Sequence, residues 1–501
     1  MANLPSSHTA IHRISTNTLA NLLGRVSPAL LNLFAIPIFV EEVGSEGYAL
    51  IGFFLSLQAA LTLLDFGLSM VVTREVARQE TPPAQTLRLI QSLYIPLGVL
   101  VGGCIVGLSQ VIANSWLKRG DMPLSSLRLS VCLMGLIFAV QWPASLYAGV
   151  LKGLERQTQE NAVRVGAAIL RIGGGLIIVV GVDASANALL IAFFFGALME
   201  SLGLCALAWR GIGRLRIPGP TQPIRWTDQL KKMKSFGLSF SAISALGMLI
   251  SYGDKLVLGR VVTLRELGYY TIAFTLTSTI LFLPHAICDA ILPRLSRLSQ
   301  DGVTGGQSFR TAIHASTLAG TVVAYPLVAY APSILHFWID SDQVAQATGA
   351  IVPRLAFGFF LCAIYSPFYT LAIAVGRLAP ILRIQVVAVP ATLLAVFLSA
   401  GSSGVVGAAT ALLVLHSVLA LFYWHVSRKI TPADRASIGR YLLFSVPFFL
   451  VCALTLPHLG SVSWMIRMPL EILVVSIPIS IPLARTLMGA RKKGGIESGR
   501  D

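Results

Sequence analysis

Long apolar runs recur along the whole of this 501-residue chain, and they decide what it can become. A helix that crosses a bilayer needs about 20 mostly apolar residues, because no water inside the membrane can satisfy an unpaired backbone group. Laid along the sequence, that length predicts spans at 17–40, 47–72, 89–113, 127–151, 163–181, 186–209, 236–262, 267–290, 311–336, 350–375, 380–400, 404–427, 441–458 and 464–487. The expectation is an all-α polytopic membrane protein of about 14 transmembrane helices, with both ends on one side. The fifth and eleventh spans are each interrupted by an arginine, Arg171 and Arg383. Composition points the same way, with 55% hydrophobic and only 12% charged residues. A soluble domain carries about 25% charged residues, so a soluble enzyme is excluded. A mean hydropathy of +0.76 excludes a disordered or nucleic-acid-binding chain as well, despite a pI near 9.9.

The net charge of +16 is a matter of topology. Sorted by loop, 28 of the 38 basic residues fall on one side, eight on the other, and two, Arg25 and Arg171, lie well inside spans. The segments EEVGSE, DASAN and WIDSDQVAQATG on the poor side carry no Lys or Arg. Basic loops stay in the cytoplasm during insertion, so both termini are expected there. The polar lead MANLPSSHTAIHRISTNTL has no small-residue cleavage site and reads as the lead-in to a retained helix. Six cysteines are scattered through apolar stretches without a C-x-x-C pair, the pattern of small apolar packing residues rather than of a disulfide framework or zinc site.

Helix-breaking residues punctuate the spans: Pro28, Pro37, Pro96, Pro143, Pro284, Pro326, Pro367, Pro390, Pro447 and Pro478, with glycine clusters at Gly102-Gly103 and Gly173-Gly174-Gly175. Such residues survive where neighbouring helices or a wet cavity re-satisfy the freed backbone, and their number favours a bundle that moves. The spacings Gly98 to Gly102 and Gly103 to Gly107 permit close helix contact. An internal repeat is visible when Glu46-Gly47-Tyr48 is laid over Leu267-Gly268-Tyr269. Each copy has a short acidic turn, a long apolar run, an aspartate near its far end (Asp65, Asp289) and a basic exit (Arg74 and Arg78; Arg294 and Arg297). The longest basic loop precedes the second copy. The expected organisation is therefore an N-terminal six-helix bundle (1–209), a basic cytoplasmic linker (210–235), a second, pseudo-symmetric six-helix bundle (236–429), a terminal helix pair (430–490) and a tail (491–501).

With these features the chain resembles the polysaccharide flippases, the oligosaccharidyl-lipid and polysaccharide exporters of the superfamily that also holds multidrug extruders and the lipid II flippase. The residues that carry the resemblance are Leu64-Asp65-Phe66-Gly67-Leu68 followed by Arg74-Glu75-Val76-Ala77-Arg78, Gly268-Tyr269-Tyr270, Pro293-Arg294-Leu295-Ser296, a buried arginine in the opening helix, and the terminal helix pair. The resemblance implies transfer of an undecaprenyl-diphosphate-linked oligosaccharide across a bacterial inner membrane. It implies alternating access around a cationic central cavity, with a groove at the terminal pair, Tyr441 to Leu487, for the polyprenyl tail. The expected partners are that substrate, membrane lipids, an H+ or Na+ coupling ion and a polysaccharide polymerase complex. No nucleic acid and no cofactor are expected.

Charges inside spans are costly and are functional candidates by default. A guanidinium suits a diphosphate because it offers paired donors and stays charged. Arg25 either faces the cavity or snorkels to the inner interface. Arg171 either faces the cavity or is neutralised by Glu200. In the seventh span, Lys255 is expected to face the cavity with Asp254 tuning it, and Arg260 to be interfacial. Adjacent helical residues point about 100° apart, so Asp254 and Lys255 are not expected to form one ion pair unaided. His285 and Asp289, at i,i+4, form either a proton-carrying pair or a local pair near a helix end. Arg467 and Glu471 are expected to neutralise each other, and Asp65 to anchor a helix exit.

Missing motifs separate the classes. G-x-x-x-x-G-K-[ST], H-E-x-x-H and G-x-S-x-G do not occur, so this chain hydrolyses no ATP and carries no familiar hydrolase signature. A polymerase or ligase would need a sizeable outer loop, and the outer loops here are short. A drug or cation antiporter would need an acidic cavity, whereas these embedded charges are at least as basic as acidic.

Overall fold

The computed structural model describes residues 7–65, 68–78, 82–118, 120–213, 238–300, 306–431, 434–458 and 463–497. Helices dominate throughout, and among the described residues there is no strand. Ten described helices are long and apolar enough to cross a membrane. The chain divides into two compact units, Met1–Gly268 and Tyr269–Asp501. The basic loop expected to link two bundles lies largely outside the described residues.

The first unit contains α1 (Ser7–Leu61), α2 (Leu68–Arg78), α3 (Pro83–Gly107), α4 (Leu124–Gly153), α5 (Gln157–Gly181), α6 (Ala186–Gly213), α7 (Leu238–Val261) and the start of α8 (Leu264–Ser278). Here α4 packs against α3 and α6, α5 against α6 and α1, and α7 against α1. Aromatic contacts fill the bundle, including Tyr94 stacked on Trp142 with ring centroids 4.9 Å apart and Phe54 edge-on to Phe193 at 6.4 Å. One end is tied by backbone and charge. Lys118 donates its N–H to the Gly259 carbonyl at 3.2 Å and accepts from Leu264 at 3.0 Å, while Arg265 pairs with Glu46 at 3.4 Å and with Asp121 at 2.5 Å.

The second unit holds the rest of α8, α9 (Phe282–Gln300), α10 (Gln307–Ala329), the short α11 (Ala331–Ile339) and α12 (Asp342–Gly349), α13 (Ile351–Ala374), α14 (Leu378–Ile430), α15 (Arg435–Thr455) and α16 (Trp464–Glu497). Its core is α13, whose apolar stretch is 83% buried between α10 and α14; α16 is only 11% buried and presents Leu470, Leu473, Val474 and Ile477 outward. In a bilayer such a helix is held by few protein contacts and much lipid.

The sharp breaks come at glycines rather than prolines. Pro28, Pro37, Pro96, Pro143, Pro326, Pro367, Pro390, Pro447 and Pro478 all sit inside continuous helices. By contrast, α1 and α14, of 55 and 53 residues, are each broken at a glycine of positive φ, Gly44 (75°) and Gly404 (59°). A side chain there would meet the steric penalty of left-handed backbone, roughly 1–2 kcal/mol. Both copies of the sequence repeat are interrupted by a 3₁₀ turn, Thr62–Asp65 in the first and Thr279–Leu281 in the second.

Of the small-residue spacings, one makes the predicted contact and one does not. Gly102 is buried where α3 crosses α4, and a Cβ there would come within 2.6 Å of the Gly135 carbonyl; Gly103 and Gly107 face open space. Gly102→Leu is therefore expected to overpack the crossing and destabilise the first unit by about 1–3 kcal/mol, read as a lowered Tm in detergent. Gly103→Leu should leave Tm unchanged. Equal effects of the two substitutions would refute this packing.

Candidate functional site

In the first unit the buried charge is organised around Glu200 on α6. Its carboxylate lies 3.6 Å from the Arg171 guanidinium and 3.5 Å from that of Arg164, both on α5. Gln141 on α4 donates to Glu200 at 3.1 Å and accepts in turn from Gln58 on α1 at 2.6 Å. Arg164 also reaches Glu160 at 3.1 Å, which Lys152 approaches at 3.6 Å. One polar chain thus joins α1, α4, α5 and α6 through an apolar bundle, with three cations to two carboxylates. The guanidinium of Arg171 also lies over the Phe193 ring, 5.7 Å from its centroid.

Asp254 and Lys255 on α7 form a second group. The two lie within ion-pair distance, Lys255 Nζ being 3.5 Å from Asp254 Oδ1. The flexible four-carbon stem lets the ammonium fold back on the preceding carboxylate, although the two Cα–Cβ bonds diverge. The same carboxylate accepts the Lys255 N–H at 2.9 Å, and Nζ lies 5.6 Å from the Tyr252 ring centroid. Both residues are buried, whereas Arg260, further along α7, is exposed.

The remaining candidates are spread more widely. Asp65 accepts from Ser69 at 2.9 Å and from the Tyr94 hydroxyl, which also contacts Ser145 at 2.6 Å. His285 and Asp289 are both exposed on α9, in the second unit. Arg25 lies within α1, but its side chain is outside the described residues, as are those of Arg74 and Arg78.

Sequence reading missed the partners of Glu471. On α16, Glu471 pairs with Arg467 at 3.3 Å as expected, and it also accepts from Tyr325 at 2.8 Å and Tyr330 at 2.6 Å, at the end of α10. Arg467 donates to the Leu456 carbonyl at 2.5 Å, so the cluster binds α10, α15 and α16 together. It missed the Gln58–Gln141 bridge for the same reason, since nothing in the local pattern marks contacts between distant spans. The i,i+4 spacing of Glu160 and Arg164 was a usable signal.

A family model described as polysaccharide biosynthesis protein matches residues 14–299, more than half of the sequence. The chain belongs to that family. The resemblance to polysaccharide flippases is thereby borne out. Two curated relatives of the chain are a candidate O-antigen transporter of Shigella flexneri, 20% identical over 70% of this chain and 82% of the relative, and a candidate low-salt glycan biosynthesis flippase of Haloferax volcanii, 24% identical over 56% and 54%. Among solved structures, the lipid II flippase MurJ in an inward closed conformation matches with TM-score 0.63 at 12% identity, covering 91% of this chain and 99% of MurJ. An inward-facing multidrug resistance MATE family transporter matches with TM-score 0.62 at 15% identity, covering 84% and 99%. These likenesses show a shared fold. Apolar helices and family together make this a multi-pass membrane protein.

The Glu200 network makes a stability prediction. Arg171→Ala leaves a buried carboxylate held by Arg164 and Gln141 alone, and should lower Tm. Adding Glu200→Gln should recover part of the loss, with a coupling of about 0.5–3 kcal/mol in a double-mutant cycle. Strictly additive losses would show that the two groups act independently.

Proposed function

We propose that the chain is a flippase that moves a polyprenyl-diphosphate-linked oligosaccharide across the bacterial inner membrane by alternating access, for surface polysaccharide synthesis. Membership of the polysaccharide biosynthesis protein family carries this reading. The glycan-transport names of the curated relatives support it, as does the shared fold of a lipid II flippase. The substrate would present a diphosphate, and Arg25, Arg171 and Lys255 are the cations assigned to it, with Asp254 tuning Lys255 and Arg260 at the interface. His285, Asp289, Glu200 and Asp65 are the candidates for ion coupling.

A fourteen-helix arrangement, with two six-helix bundles and a terminal pair, fits a sequence in which α1 and α14 each exceed 50 residues and break at one glycine. An even number of crossings and 28 basic residues on one side support a topology with both termini in the cytoplasm. Transport without chemistry on the substrate agrees with the missing nucleotide-binding and hydrolase motifs.

The fold is also that of a multidrug transporter, so a cation antiporter is the second reading. The embedded carboxylates weigh against it. Glu200, Asp254 and Glu471 each lie within 3.6 Å of an Arg or Lys of this chain, so a cationic drug would have to compete with a built-in partner.

A strain that depends on the protein for its surface polysaccharide tests the reading. At matched expression, Arg171→Ala and Lys255→Ala should each cut surface polysaccharide about tenfold or more, since a charge-assisted contact is worth about 1.5–3 kcal/mol. Arg171→Lys should retain part of the activity. Full polysaccharide in Arg25→Ala, Arg171→Ala and Lys255→Ala alike would refute the cationic site.

A further inference from the structure

The second unit carries a polar seam that the proposed function leaves unused. On α10, Arg310, His314, Thr317, Thr321 and Tyr325 recur every three or four residues, which sets them on one face of the helix. That face meets α15 and α16. At one end Arg310 pairs at 3.4 Å with Asp434, just before α15, and Asp434 also accepts the Gly306 N–H at 2.7 Å. At the other end stands the Glu471 cluster. Between them the His314 ring sits edge-on to Tyr441 of α15, with centroids 4.4 Å apart.

His314 is only 6% exposed, and its Nδ1 has no hydrogen-bond partner among the described residues. A buried polar nitrogen left unsatisfied is destabilising. A neutral imidazole always keeps one basic nitrogen, and the ligand that nitrogen takes most readily is a proton. The neighbouring charges set the effect such a proton would have. Arg310 is one turn away on α10 itself. From the α15 side come Asp434, Tyr441 and, beyond them, Cys452. On α16, Glu471 and Arg467 gather at the far end of the seam with Tyr325 and Tyr330; near His314, α16 offers the Ile479 carbonyl, which accepts from Tyr441 at 3.5 Å, and at the Arg310 end its Thr486 carbonyl accepts from Gln307, with Arg485 beside it exposed. Phe360, Ala363 and Phe368 of α13 pack on α10 and are uncharged. On α9, His285, Asp289, Arg294 and Arg297 are exposed.

We propose that His314 is a proton-binding site, and that filling it weakens the seating of α15 and α16 on α10. Once protonated, His314 is a second cation beside Arg310, and Asp434 is the carboxylate within reach of that end of the seam. Two cations then compete for one anion in a low-dielectric setting, and the balance is restored by loosening the Arg310–Asp434 clasp or by admitting water between the helices. This inference goes beyond the flippase reading and does not depend on it.

The full chain in lipid nanodiscs, with its native cysteines replaced, tests the proposal. Nitroxide labels at Val322→Cys on α10 and Leu443→Cys on α15, both exposed positions, report the separation of the two helices by electron resonance between pH 8 and pH 3. The separation should lengthen and broaden on acidification with a single midpoint. His314→Gln should hold the pH 8 distribution throughout. Arg310→Gln leaves His314 as the one cation facing Asp434 and should abolish the acid lengthening, while Glu471→Gln should leave the midpoint in place. No acid response in the parent protein, or a response that persists in His314→Gln, would overturn the proposal. Should His314→Gln fail to fold, Arg310→Gln decides, and an acid lengthening in that variant as large as in the parent overturns the proposal.

Discussion

Charge held inside a bilayer-sized apolar bundle must be matched within the protein, and much of the organisation derives from that constraint. Water cannot compensate a guanidinium or carboxylate at membrane depth, and Arg171 with Glu200, Lys255 with Asp254 and Arg467 with Glu471 each lie beside an opposite charge. Glu200 gathers Arg171, Arg164 and Gln141 from two neighbouring helices, and through Gln141 it reaches Gln58 on a third. Glu471 performs the same service in the second unit, joining α10 to the last two helices through Arg467 and two tyrosines. These polar clusters tie helices that otherwise meet through apolar packing.

The same matching bears on transport. A cation fully neutralised by a fixed partner has little to offer an anionic substrate, whereas one that shares its carboxylate can exchange it. Arg171 and Arg164 divide a single Glu200 carboxylate, and the cluster they belong to carries one surplus positive charge. Lys255 lies within ion-pair distance of the adjacent Asp254.

Most of the fold was legible in the sequence because a bilayer imposes one length and one composition on every crossing. The parts that were not legible depended on contacts between distant residues or on side-chain reach. Tyr325 and Tyr330 lie 146 and 141 residues from Glu471, and no local pattern announces them. The closeness of Lys255 Nζ to Asp254 depends on the reach of a long flexible ammonium, which the direction of Cβ does not fix. Prolines drew attention as breaks, yet the sharp turns fall at Gly44 and Gly404, where φ is positive and a proline's fixed φ would not serve. Glu200 as the partner of Arg171 was available as the alternative to a cavity role, because both are charges within adjacent spans.

The most direct test of flippase activity is transbilayer movement in a purified system. Full-length protein reconstituted into liposomes would be supplied with a fluorescent polyprenyl-diphosphate-linked oligosaccharide, and its exposure to an outer-leaflet glycosidase followed in time. The prediction is that liposomes containing the protein expose the inner-leaflet substrate pool, while protein-free liposomes and those with Arg171→Ala do so far more slowly. Equal rates in protein-containing and protein-free liposomes, with the protein shown to be folded, would contradict the flippase reading.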